Sequence, residues 1–295
     1  MSTNSTPSTL PNFLDLWQET LGWQPSVAQN SLFQQLYEGI LEGNQQLNLT
    51  RITDPVEFWE KHLWDSLSGI KSFLQPTSNQ SSSPDTLHPT SDTVRLSAHA
   101  EARHPTPYRV IDIGTGAGFP GLPIAIAQPN WHVTLLDSTR KKLDFVSQLL
   151  ERLDIENATT LVDRVEQIGR DRAHREQYDL VLVRAVGAAS ICVEYALPLV
   201  KMGGLAVLYR GQWLEEEEKE LAPVVKLLLG GELEQVAAFK TPITQSGRHC
   251  IYIRKIAPTQ LLYPRAVGIP AQKPLVLTST VSSPRRSNLA DDTAS

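Results

Sequence analysis

An α/β fold, with a mostly parallel sheet, an antiparallel hairpin at its C-terminal end and an all-helical unit before it, is what this sequence predicts. Three observations carry that prediction. From Tyr108 onward, short apolar runs alternate with longer amphipathic ones, as strands and helices do in βαβ units. A glycine-rich turn, Gly114–Gly121, joins the first apolar run to the first helical one. Two β-like runs close the pattern with a turn at Ser246–Gly247, too close together for a crossover, so they pair antiparallel. The sheet is therefore Rossmann-like, covered on both faces.

Residues 1–10 are polar and Ser/Thr-rich and are expected to be disordered. Residues 11–75 form a helical unit. Phe33, Leu36, Tyr37, Ile40 and Leu41 recur at the three- and four-residue spacing of one buried helix face. Val56, Trp59, Leu63, Leu67 and Ile70 make a second stripe, after a cap signal at Thr53–Asp54 and Pro55 in the first turn. Residues 76–107 are dense in Ser, Thr, Pro, Asn and His and read as a low-complexity insert.

The main domain spans 108–256. Its expected order is strand Arg109–Ile113, helix Phe119–Gln128, strand His132–Leu136, helix Thr139–Leu153, weak strand Thr159–Val162, and strand Tyr178–Val183. Helix Ser190–Leu199, strand Leu205–Tyr209 and helix Leu214–Leu229 come next. The acidic run Glu215–Glu218 suits the positive end of that last helix. The hairpin is Leu233–Phe239 with Cys250–Arg254. Beyond it lie a basic segment, 257–276, and a tail, 277–295, expected to be disordered.

Composition narrows the function classes. No apolar run approaches the ~18 residues of a membrane span, and the N-terminus lacks a secretory pattern, so a cytoplasmic protein is expected. Two cysteines, Cys192 and Cys250, fit a reducing compartment and exclude a cysteine-pair zinc site; no metal is expected. The net charge of −5 argues against general duplex binding but leaves room for a local basic face. Oligomeric state is not legible.

The glycine turn reads Ile111-Asp112-Ile113-Gly114-Thr115-Gly116-Ala117-Gly118-Phe119-Pro120-Gly121. A glycine-rich strand–helix turn alone is shared by several ligand classes. Here the spacing is G-x-G-x-G, not the G-x-G-x-x-G that seats a pyrophosphate. Asp112, two residues before Gly114, suits the ammonium of an amino-acid ligand and would repel a diphosphate. Asp137 comes 23 residues after Gly114, close to the ~20-residue offset of an acid that grips ribose hydroxyls. A helix-capping role for Asp137 stays open. These features, with the terminal hairpin, favour a methyl-donor site over a dehydrogenase. Arg184 ends a buried strand at its carboxyl end, where α/β enzymes keep ligands, although a surface ion pair would explain it equally well.

The residues just after Arg184 are informative by omission. Ala185-Val186-Gly187 lacks the Asn/Asp-Pro-Pro-aromatic run of enzymes that methylate exocyclic amines. Cysteine-based attack on cytosine is disfavoured, because Cys192 and Cys250 sit in apolar, core-like runs. Guanine N7 remains a fitting acceptor, with a free lone pair and no proton to lose.

Many motifs in order then resemble one family. They are Asp112–Pro123, Leu135-Leu136-Asp137-Ser138, Arg164-Val165-Glu166 and Val183-Arg184-Ala185 in the sheet domain. Asn48-Leu49-Thr50, Asp54-Pro55 and His62-Leu63-Trp64-Asp65-Ser66 occur in the helical unit. Arg248-His249, Tyr263-Pro264-Arg265, Gly268-Ile269-Pro270 and Lys273-Pro274-Leu275 occur late. Together they resemble the RsmG (GidB) family of small-subunit ribosomal RNA guanine-N7 methyltransferases over about 12–75 and 108–275, with the insert outside. The resemblance implies a class I methyltransferase fold, S-adenosyl-L-methionine as donor, and 16S rRNA within the 30S subunit or an assembly precursor as partner. It implies a donor pocket lined by Gly114, Phe119, Val165, Glu166 and Arg184, with Asp137, Ser138 and Thr139 around the ribose. Asp112 and Gly116 join that pocket from the turn itself. Arg184, Asn48 and His62 are the positioning candidates.

Arg140, Lys141, Lys142, Arg248, Arg254, Lys255, Arg265 and Lys273 are expected to face RNA, though solvated surface cations would look the same. The alternatives are a methyltransferase for another RNA or a small molecule, and a binding module without activity. The latter fits the intact glycines and acids poorly.

Overall fold

The computed structural model describes residues 9–74 and 108–277. The insert and most of both expected tails lie outside them. Leu10 corrects the first boundary: its N–H donates to Gln34 Oε1 at 2.8 Å and its side chain packs on the core.

Seven strands form one sheet. They are β1 (Tyr108–Ile113), β2 (Trp131–Asp137), β3 (Ala158–Val162), β4 (Tyr178–Arg184), β5 (Val200–Arg210), β6 (Gly231–Lys240) and β7 (Gly247–Lys255). The order is β3-β2-β1-β4-β5-β7-β6. The first five run parallel, β7 runs antiparallel to β5, and β6 antiparallel to β7. The hairpin is where the sequence puts it, but its second strand takes the inner place.

Successive residues of β1 and β4 face opposite cores, as the two-residue period requires. Val110, Leu180 and Leu182 join the helical unit, α5 (Gly121–Ala127) and α6 (Arg140–Arg152). Ile111, Val181 and Val183 join α8 (Ala189–Ala196) and α9 (Glu215–Leu228). Between these helices lies the four-residue α7 (Val165–Ile168). No helix among the described residues is long and apolar enough to cross a membrane.

The helical unit packs on the sheet. It starts with α1 (Leu14–Leu21) and α2 (Val27–Asn44), the latter opened by a Ser26–Gln29 capping box. Asp54 then accepts from the N–H groups of Val56 and Glu57 and starts α3 (Pro55–Phe58). That helix continues through a π-helical stretch, Trp59–Trp64, into α4 (Asp65–Ser68). Five-residue hydrogen bonding of this kind is rare and concentrates at functional sites. The second apolar stripe is buried except at Val56, which is 37% exposed. Phe58 takes the inward place instead, against Tyr37 and Phe119.

Glu60, on the π stretch and 1% exposed, ties the unit to the far hairpin. It accepts from the N–H groups of Ile243 (2.6 Å) and Thr244 (2.9 Å) and from the Thr244 hydroxyl (2.7 Å). Burial alone would raise its pKa, but these hydrogen bonds outweigh burial and hold it below the ordinary carboxylate value. A depressed acid stabilises the fold above its unfolded pKa and loses that contribution as pH falls through the folded one. Glu60→Gln is therefore expected to cost about 2 kcal/mol at pH 7, with the gap to wild type shrinking on acidification. Urea midpoints from pH 7 to pH 3 test it; a gap that stays constant would refute the assignment.

Candidate functional site

Strand order places the carboxyl ends of β1 and β4 side by side at the middle of the sheet, where the chain reverses its winding direction. Ligands of open α/β sheets bind at such a point. Two clefts open there.

The glycine turn forms the floor of the first. Gly114 and Thr115 donate N–H groups to Leu136 O at 2.8 and 3.0 Å, so the turn leans onto β2. Gly118 has φ +97° and a Cβ there would stand 2.3 Å from Leu122 Cδ1. That backbone is strained for any L side chain. Gly118→Ala is expected to weaken donor binding at least tenfold and to destabilise by about 1–3 kcal/mol; calorimetric titration and urea unfolding read the two separately.

Two carboxylates hold the turn. Asp112 is fully buried; its Oδ2 accepts from the Thr115 hydroxyl (2.6 Å) and the Gly121 N–H (2.8 Å). With both of these bonds on Oδ2, Asp112 acts on the turn from beneath and is not among the residues lining the cleft. Burial is the main reason its pKa is pushed up to about 6. Its Oδ1 has no partner. Asp137 accepts from Gly116 N–H (3.0 Å) through Oδ2 and from Thr139 N–H (2.8 Å) through Oδ1. It lines the cleft and holds the residue before α6, whose N-terminus has no side-chain cap. Each oxygen keeps a lone pair for a further donor.

The first cleft has a volume of about 280 Å³, near the lower end of the ~300–1,000 Å³ common for small-molecule sites. Gly114, Asp137, Ser138, Val165 and Glu166 line it. Glu166, at the start of α7, is 1% exposed. Its Oε1 accepts from Gly268 N–H (2.9 Å) and the Tyr195 hydroxyl (3.3 Å), and its Oε2 has no partner. Burial would raise its pKa, but the Gly268 N–H and the Arg164 guanidinium hold it below the ordinary value.

Sequence reasoning missed Val186, Ile191, Tyr195 and Ala271, which also line the first cleft. Ala271 arrives on α10 (Ile269–Gln272) in the late segment, which crosses the molecule as a strap. Arg175 donates to the carbonyls of Tyr263, Thr259 and Gln260, and Arg170 to those of Pro264 and Leu262. Only a fold brings such scattered residues together, so no local pattern announces them.

The second cleft, about 560 Å³, opens beyond β4 and is lined by Asp65, Arg184, Arg210, Glu217, Arg248 and His249, among others. Arg184 belongs here and not to the first cleft. It donates to Asp65 Oδ2 (2.9 Å) and Lys61 O (3.1 Å), with its guanidinium 5.9 Å from the Phe119 ring centre. Arg248 reaches the other oxygen of Asp65 at 3.5 Å. Phe119 likewise does not line the first cleft; it stacks on His62 at 4.3 Å and 15°. Gly116 and Thr139 reach the cleft only through their bonds to Asp137.

His62, half-buried on the π stretch, hydrogen-bonds Thr50 through Nε2 at 2.8 Å. Burial, helped by Arg184, lowers its pKa to about 3, so it stays neutral at working pH. That makes it a packing element between helical unit and glycine turn. Asn48 is exposed in the preceding loop.

The basic candidates divide. Arg140 and Lys141 are exposed and make no ion pair among the described residues. They open α6 against the helix dipole, which disfavours cations there. Arg265 is a correction: it is locked on the buried Glu194 at 2.6 Å and fixes the strap. Lys255 is buried against Glu176, and Arg254 is bound to Glu234 at 2.6 Å, so neither presents a free charge.

Comparison with known proteins bears on the same residues. The family model described as rRNA small subunit methyltransferase G matches residues 29–81 and 88–249, running through much of the low-complexity segment. Ribosomal RNA small subunit methyltransferase G of Trichormus variabilis is 53% identical over 266 residues, covering 90% of this chain and 98% of that protein. The protein of the same name from Nostoc punctiforme is 52% identical with the same coverage. That of Gloeobacter violaceus is 48% identical over 88% of this chain and 91% of its own length. With the glycine turn, the two acids and the sheet order all in place, the chain belongs to the rRNA small subunit methyltransferase G family.

Proposed function

We propose that this protein transfers the methyl group of S-adenosyl-L-methionine to N7 of a guanine in 16S rRNA, in the cytoplasm and on the 30S subunit or an assembly precursor. One observation carries the reading furthest: an acidic cleft and an arginine-rich cleft share the wall Ala185–Val186, with Ala185 facing the second and Val186 the first. A donor on one side and a nucleic-acid base on the other can meet across it.

The first cleft fits the donor. Asp137, Asp163 and Glu166 outnumber Arg164 around it, which suits a ligand carrying sulfonium and ammonium charges and disfavours a diphosphate. The unpartnered Glu166 Oε2 supplies a buried acceptor there. Asp137 and Ser138 would hold hydroxyls, while Val165, Ile191 and Ala271 provide apolar walls. The donor supplies an electrophilic methyl group. The protein's work is then alignment, since N7 needs no base to remove a proton. A thiolate route is closed: Cys192 and Cys250 are buried, and burial pushes the Cys192 thiol up to about 11 and Cys250 higher still.

The test is transfer from labelled donor to purified 30S particles lacking their native guanine-N7 methyl group. Label at a single 16S guanine N7 is the expected result. Donor binding without label on the particle would send the search to another RNA or a small molecule. Arg140 and Lys141 are the free cations nearest the first cleft in sequence. The double alanine variant is expected to weaken particle capture and flatten its salt dependence by about 0.7–0.9 log units per lost phosphate contact, with donor affinity unchanged. An unchanged salt slope would remove them from the RNA face.

A further inference from the structure

We infer that Glu217 and Arg210 read the target guanine along its Watson–Crick edge, making them specificity determinants of the second cleft. The inference rests on the guanine-N7 reading above and deepens it.

Arg210 ends β5, and its Nη1 donates to Gly187 O at 2.7 Å, on the loop that begins with the shared wall. Its Nη2 stands 3.4 Å from Glu217 Oε1, in the first turn of α9. Both side chains line the second cleft and are partly exposed, at 24% and 35%. The cleft wall therefore presents three features in sequence: the loop beside the donor cleft, then a guanidinium, then a carboxylate.

Guanine presents a matching series. Its N7 must face the donor. Next to N7 lies O6, an acceptor, and beyond that N1–H and the N2 amino group, both donors. A guanidinium beside the wall meets O6, and a carboxylate beyond it meets N1–H and N2–H. Adenine reverses these groups: an amino group would face Arg210, and a bare N1 would face Glu217. The 3.4 Å separation of Arg210 and Glu217 is long for a charge-assisted bond, and the other Glu217 oxygen, Oε2, accepts from Leu214 N–H at 3.3 Å; both are long contacts that a ligand can displace. Asp65, the other carboxylate in this cleft, is already held between Arg184 and Arg248. Ala185, with φ +57°, keeps the wall in a conformation uncommon for a residue with a side chain. Anchoring Gly187 is thus a second task for Arg210.

The experiment compares 30S particles carrying guanine at the target position with particles carrying adenine there, using wild type, Glu217→Gln and Glu217→Ala. The wild type is expected to label only the guanine particle. Glu217→Gln is expected to lose roughly tenfold to hundredfold in kcat/KM for guanine, and its preference over adenine should fall by at least as much. Its amide can donate to adenine N1 and accept from the adenine amino group. Donor affinity, measured by calorimetry, should stay at the wild-type value in both variants, because Glu217 does not line the first cleft. If the wild type labels guanine and Glu217→Gln keeps both rate and preference, the inference is overturned while the proposed function stands. If the wild type labels no particle, the function itself fails.

Discussion

Replacing Arg184 with alanine is expected to destabilise the protein by about 3 kcal/mol and to lower methyl transfer to 30S particles about 100-fold. Its guanidinium joins three parts at once. It bonds Asp65 and Lys61 O of the helical unit, stands over Phe119 of the glycine turn, and ends β4 beside the shared wall. Asp65 is only 8% exposed, so without Arg184 it would keep a single cationic partner, Arg248 at 3.5 Å. A buried carboxylate left short of partners is costly. Arg184→Lys should recover part of the stability and little of the activity, because Nη1 alone makes both bonds, to Asp65 and Lys61 O, and an ammonium can replace it there, while the planar guanidinium over the Phe119 ring is lost. Urea unfolding and single-turnover transfer separate the two effects. An alanine variant within 0.5 kcal/mol of wild type, by the usual ~0.5 kcal/mol span of surface changes, would show that this junction is not structural.

Glu194→Ala is expected to cost about 3–5 kcal/mol and to weaken donor binding at least tenfold without any change in the donor cleft's own acids. Glu194 is fully buried and accepts from Arg265 three ways: from the backbone N–H at 2.8 Å, from Nε at 2.9 Å and from Nη2 at 2.6 Å. Its carboxylate is also the main reason the Arg265 pKa is raised. Removing it strands a guanidinium and loosens the strap that carries Gly268 to Glu166 and Ala271 to the cleft. Arg265→Ala should reproduce the loss of donor affinity. Calorimetry with the donor decides; wild-type affinity in both variants would detach the strap from the site.

The alternating strands and helices, the terminal hairpin and the glycine turn were legible because each depends on local pattern: a two-residue period, a 3.6-residue period, or a backbone that only glycine tolerates. The burial of Cys192 and Cys250 was legible for the same reason. The π stretch was not, since Trp59, Leu63, Leu67 and Ile70 keep the spacing of an ordinary α-helix. Asp137 and Glu166, which line the first cleft, could be marked by position, yet the inward turn of Asp112 depends on Thr115 and Gly121 and shows only in three dimensions. Arg265 and Arg140 look alike in sequence. One has a buried acid 71 residues away in the chain and the other has none within ion-pair distance among the described residues, so only the fold tells an anchor from a free charge.

The position of β7 between β5 and β6 has a consequence for how the chain comes into being. Synthesis delivers residues from the N-terminus at ~5–20 per second, and folding keeps to that order where it can. The first five strands can assemble as they emerge. β6 cannot, because its only strand partner among the described residues is made after it. Until residues 247–255 appear, β5 keeps an open edge, and the donor cleft still lacks the wall that Ala271 brings. The sheet and the first cleft are thus among the last parts of the molecule to close.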